Sequence, residues 1–235
     1  MKQKVLINLH EIVDGHNTSI IIISEKDGET EMEKFLADAE SVMGSKYLPR
    51  LLAAEIISEE HGEFTISEPM KENRGRTLSY TELNVIIIFN IQDEESQRIG
   101  YHETAHILQK EEILKAITTF YKLEKDDYTI YLEEAHAETF AAVCILKDAE
   151  NSEGFARRQA FLLEQARKDE DKAANSTDSF DKYYAHYTLL ESFINNAALE
   201  SISAKSYNEL AVQCEEHVMS HKRSFPEFME FFDNV

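Results

Sequence analysis

Breaking residues are scarce in this chain of 235 residues, which holds seven glycines and three prolines; average usage would give roughly 16 and about 12. Collagen-like and low-complexity architectures are thereby excluded, and long helices are favoured. Tryptophan is absent, and there are only two cysteines. Cys144 and Cys214 lie in apolar, helix-like stretches outside any CxxC motif, which excludes a disulfide framework and leaves two buried free thiols. No apolar run approaches the roughly 20 residues of a membrane helix; Ile20–Ile23 and Val85–Phe89 are strand-sized. Positive charge is also short, with 24 Lys and Arg against 45 Asp and Glu and a formal net charge of −21. So acidic a surface repels phosphate backbones and anionic lipid, so neither nucleic acid nor membrane is an expected partner, whereas a basic peptide is compatible. The amino terminus turns polar at Asn8 and shows no small-residue cleavage site, so no secretory signal is read there and the expected compartment is the cytoplasm.

Within a hydrophobic content of 43%, the patterning falls into two halves. Val5–Val13 and Thr18–Ser24, separated by Asp14-Gly15-His16-Asn17, read as a β-hairpin. Helical periodicity over Glu29–Ser58 is interrupted at Gly44 and Pro49, which predicts two helices. Glu63–Ser67 reads as a short strand, and Pro69–Ser79, with Lys71, Arg74 and Arg76, as a polar loop. Leu83–Ile91 is apolar on both faces and reads as a buried strand, followed by a helix over about Asp93–Gln109. Beyond it, helices are predicted near Glu111–Leu123, Tyr131–Asp148, Gly154–Ala174, Phe180–Glu200, Lys205–His221 and Phe225–Phe232. The fold class expected is α+β, a mixed α/β amino-terminal half followed by an all-helical carboxy-terminal half.

His102-Glu103-Thr104-Ala105-His106 is an HExxH motif. Residues four apart share a helix face, so His102 and His106 can bind one metal ion, and neutral imidazole suits Zn²⁺. Glu103 then lies beside the water such an ion carries and can act as its general base. The strand before the helix could hold a substrate peptide by main-chain pairing. A third ligand is needed. In Leu132–Ala142 the acids are Glu133, Glu134 and Glu138, and only Glu134 has a second acid, Glu138, four residues on. A ligand with a carboxylate behind it on one face meets the usual needs of such a site. Glu134 is therefore expected as a ligand and Glu138 as its support.

The run Arg98-Ile99-Gly100-Tyr101-His102-Glu103-Thr104-Ala105-His106-Ile107-Leu108, with Glu134-Ala135-His136-Ala137-Glu138-Thr139-Phe140-Ala141-Ala142 after it, resembles the active-site segments of gluzincin metallopeptidases, in particular the ImmA/IrrE type. The resemblance covers about Leu83 to Ala142. His136 stands where that family usually has Glu, Glu138 where it often has Asn or Asp, and Ala105 where glycine is common. The resemblance implies a zincin-like domain over residues 1–150, with a helical extension over 151–235 packed on it. It also implies a zinc-dependent peptidase acting on a protein or peptide substrate, with Zn²⁺ held by His102, His106 and Glu134 and with Glu103 as the catalytic base. His136, Tyr101 and Tyr131 are candidate donors to an oxyanion, and Tyr183, Tyr184, His186 and Tyr187 form a later aromatic cluster.

Two other readings compete. One is a non-catalytic protein-binding or regulatory module on a zincin scaffold; the other is an acidic interaction protein in which the motif is incidental. A retained Glu103, which is not a ligand, favours the peptidase. His217 and His221 also stand four apart but lack the adjoining Glu, and are expected to be an ordinary pair of helix histidines.

Overall fold

The structure, a computed structural model, describes residues 2–26, 29–80, 83–90, 94–109, 127–176 and 179–233. It divides into two compact units, Met1–Ile107 and Leu108–Val235. The first is mixed α/β with small sheets, and the second is helical. Residue 150 falls in a turn of the second unit. The helix expected over Glu111–Leu123 lies outside the described residues.

In the first unit the order is α1 (Lys2–Ile12), β1 (Thr18–Ile23), β2 (Glu25–Lys26), β3 (Glu29–Thr30), α2 (Met32–Met43), α3 (Tyr47–Ala53), β4 (Ile57–Glu60), β5 (Glu63–Ile66), α4 (Glu68–Asn73), β6 (Gly75–Ser79), β7 (Asn84–Phe89) and α5 (Glu94–Leu108). The principal sheet has the order β1-β7-β6, with β7 parallel to β1 and antiparallel to β6. Val85, Ile86, Ile87 and Ile88 are each 0% exposed, as a centre strand covered on both faces requires. Alternation divides them. Val85 and Ile87 join Ile21, Ile23 and Leu78 in a core closed by Phe35, Ala39 and Met43 of α2. Ile86 and Ile88 face the other way, paired in register with Thr77 and Gly75.

Three expectations are corrected here. Residues 5–13 are not the first strand of a hairpin. They belong to helix α1 and the turn after it, and β1 takes its partner from β7, in parallel. Leu9, Ile12 and Val13 are buried while His10 and Glu11 are exposed, a spacing of three and four that suits a helix rather than a strand. Residues 69–79 are not a loop but the end of α4 followed by β6. Two of their three positive charges are engaged at the surface: Lys71 pairs with Glu68 at 2.6 Å and Arg74 with Glu95 at 3.7 Å. Thirdly, the buried strand β7 cannot hold a peptide along its edge, because β1 and β6 occupy both sides of it. The two helices expected from Glu29 to Ser58 are present as α2 and α3, parted at Gly44, whose φ of 67° closes α2.

The second unit contains α6 (Asp127–Lys147), α7 (Ser152–Asn175), α8 (Ser179–Lys182), α9 (Tyr187–Asn196), α10 (Leu199–Ser203), α11 (Tyr207–His221) and α12 (Phe225–Asp233). Helix α6 is buried on nearly every side from Tyr128 to Leu146 and packs against α7, α9, α10 and α11. A helix apolar all round belongs at the centre of a bundle. Cys144 and Cys214 are free thiols buried within this unit, and burial pushes the Cys144 thiol well above its ordinary range. The single helix expected over Phe180–Glu200 is broken into three. Arg223 donates to the Ala185 carbonyl at 2.8 Å, and the Tyr187 N–H donates to Glu170 at 3.2 Å. These tertiary partners take the backbone groups that a continuous helix would have paired internally.

Candidate metal centre

Helix α5 carries Glu94 and Glu95 in its first turn, where acids suit the positive end of the helix dipole. One turn apart along it, His102 is buried and His106 half-buried. Their Nε2 atoms lie 3.1 Å apart, with the rings at 78° to each other. Two ligands of one tetrahedral zinc, each at about 2.05 Å, stand about 3.3 Å apart, so the separation suits a shared ion. Glu134, the expected third ligand, lies on α6 of the second unit. Two neutral imidazoles and a carboxylate are a donor set for Zn²⁺, and Mn²⁺, Fe²⁺ and Ni²⁺ accept the same atoms.

Glu103 is 9% exposed. Its carboxylate Oε2 lies 2.7 Å from the Thr77 hydroxyl of β6, which is also 2.9 Å from the Glu103 carbonyl. Gly75 sits two residues before Thr77 on the same face of the sheet. A Cβ there would stand 2.4 Å from Ile99 Cγ2, 2.9 Å from Glu103 Cγ and 3.1 Å from Glu103 Oε1. The helix comes this close to the strand because the residue is glycine. Neither Thr77 nor Gly75 emerges from the sequence reading. Along β6, Gly75 and Thr77 face α5 while Leu78 turns into the opposite core, so no simple apolar alternation marks the strand.

On α6, Glu133 and Glu134 are half-buried, and Glu138 is buried one turn beyond Glu134. Gln109 donates to the Glu133 carbonyl at 2.6 Å and approaches His136 Nδ1 at 3.1 Å. The other ring nitrogen of His136 lies 3.3 Å from the Ala211 carbonyl, so both of its nitrogens have partners inside the second unit. Tyr131 stacks with Tyr128 at 6.0 Å and lies against Phe228 and His186; burial raises its hydroxyl above the ordinary range. The Tyr101 hydroxyl accepts from Asn8 Nδ2 at 3.0 Å. In the aromatic cluster, Tyr183 donates to Asp127 at 2.6 Å and Tyr187 to Glu191 at 2.7 Å.

His217 and His221 stack at 4.1 Å. His217 Nε2 donates to the Leu189 carbonyl and His221 Nδ1 to the His217 carbonyl, each at 3.0 Å. Burial first, and the neighbouring His221 second, hold His217 below its usual value of 6.5. The unfolded chain therefore takes up this proton before the folded one does. The resulting stability is present above about pH 6.5 and is lost as pH falls from there through the folded value. Urea midpoints measured between pH 7.5 and 5.5 should fall less for His217→Gln than for wild type. Equal falls would remove His217 as the cause.

No family model, curated protein or solved structure matches the chain. What the centre can do follows from its own donors.

Proposed function

We propose that this chain is a zinc-dependent peptidase of the gluzincin type, built on a zincin-like scaffold and acting on a protein or peptide. The observation that carries the reading is the pair His102 and His106, whose Nε2 atoms stand 3.1 Å apart on α5, with the buried Glu103 between them in sequence. Zinc held there would supply Lewis acidity toward a peptide carbonyl and make a water more acidic. His102 and His106 bind through Nε2 as neutral rings, and Glu134 brings negative charge, with Glu138 one turn behind it. Glu103 takes a proton from the attacking water and returns it to the leaving amine. The outer edge of β6, unpaired with any other strand among the described residues, is the place for a substrate strand to add by main-chain hydrogen bonds. The net charge of −21 favours basic substrates.

The direct test is metal content and proteolysis together. Purified chain dialysed against Zn²⁺ should retain about one ion per chain, the number a single closed donor set holds. It should cleave dye-labelled casein, lose that activity to a chelator and regain it with zinc. A chain that holds no ion after exposure to zinc overturns the reading.

A further inference from the structure

We infer that Thr77 is the positioning residue of the Glu103 base, an assignment that rests on the peptidase reading above. A carboxylate needs its negative form stabilised and its lone pairs aimed, and a buried one must find its donors within the protein. Among the described residues, the hydroxyl of Thr77 is the donor given to the Glu103 carboxylate, and it lies at Oε2. Oε1 has no donor among them and lies over Gly75, the one residue type that adds no methyl beneath it. The two oxygens are thus made unequal. Thr77 pins one, and the other is left to take a proton.

Sheet register fixes this division. Gly75 and Thr77 are two apart on β6, opposite Ile88 and Ile86 of the centre strand, so both face α5. The same hydroxyl lies 2.9 Å from the Glu103 carbonyl and so ties the backbone of the base to the strand as well as its carboxylate. Thr77 keeps its own proton throughout; it holds Glu103 and transfers nothing.

The test compares Thr77→Val, which keeps the shape and loses the hydroxyl, with Thr77→Ser, which keeps the hydroxyl, both as zinc-loaded full-length chain. Crystal structures should show the Glu103 carboxylate displaced in Thr77→Val and held in Thr77→Ser. With dye-labelled casein, kcat should fall about 10–100-fold in Thr77→Val, the usual loss for a residue that orients a metal-site group. KM and zinc content should stay at wild-type values, and Thr77→Ser should recover the rate. A carboxylate unmoved in Thr77→Val, or a Thr77→Ser as slow as Thr77→Val, overturns the assignment. If wild type fails to cleave casein, it is the peptidase reading that loses support, and the crystal structures alone decide the role of Thr77.

Discussion

Zinc-loaded Glu103→Gln is expected to cleave dye-labelled casein about 10²–10⁴-fold more slowly than wild type, the usual contribution of a general base, with zinc content unchanged. The amide keeps the size of the side chain and still accepts from Thr77, whose hydroxyl lies 2.7 Å from Oε2. What it loses is the second carboxylate oxygen as a proton acceptor. Glu134→Ala should behave differently, losing metal and rate together, because its carboxylate is the proposed third ligand. His221→Ala should change neither, since that ring is exposed and hydrogen-bonded to the carbonyl of His217 in its own helix. A Glu103→Gln chain as fast as wild type would show that Glu103 is not the base.

His102→Ala is expected to lower zinc affinity by more than about 100-fold, since even a residue that only orients a ligand is worth 10–100-fold. Thermal melting reads this without any substrate. An ion that binds only the folded chain stabilises it by about 2.7 kcal/mol at 100 times its Kd, so wild type should melt later as zinc is added. His102→Ala should gain little at the same concentrations. Equal gains in the two proteins would place the ion elsewhere.

The motif and the centre strand were readable because each carries its signal locally, a histidine pair with an adjoining Glu and a run of β-branched apolar residues. His102 and His106 stand one turn apart on a continuous helix, and Val85–Ile88 is a short β-branched run, apolar at every position, which suits a strand covered on both faces. Residues 5–13 misled because Val5, Ile7, Ile12 and Val13 are β-branched, a local preference that favours strands. Tertiary packing overrides it: the segment buries Leu9, Ile12 and Val13 on one helical face, while β1 takes β7 as a parallel partner. Strand β6 was hidden for a different reason. It is half-exposed, and its glycine and threonine are explained by what lies above them on α5, information that no local window contains. The three-way break in residues 179–203 likewise depends on Arg223 and Glu170, distant in sequence.

The pairing of Thr18 with Asn84 has a kinetic consequence. The sheet beneath the histidine helix cannot close until most of the first unit has been synthesised, and its closure must first overcome the entropy of a long intervening loop. Within the second unit α6 and α7 are neighbours in sequence and in space, a contact that can form early. Refolding followed by hydrogen exchange should therefore protect α6 and α7 before β7, so the close approach of Gly75 and Thr77 to Glu103 is a late feature to form.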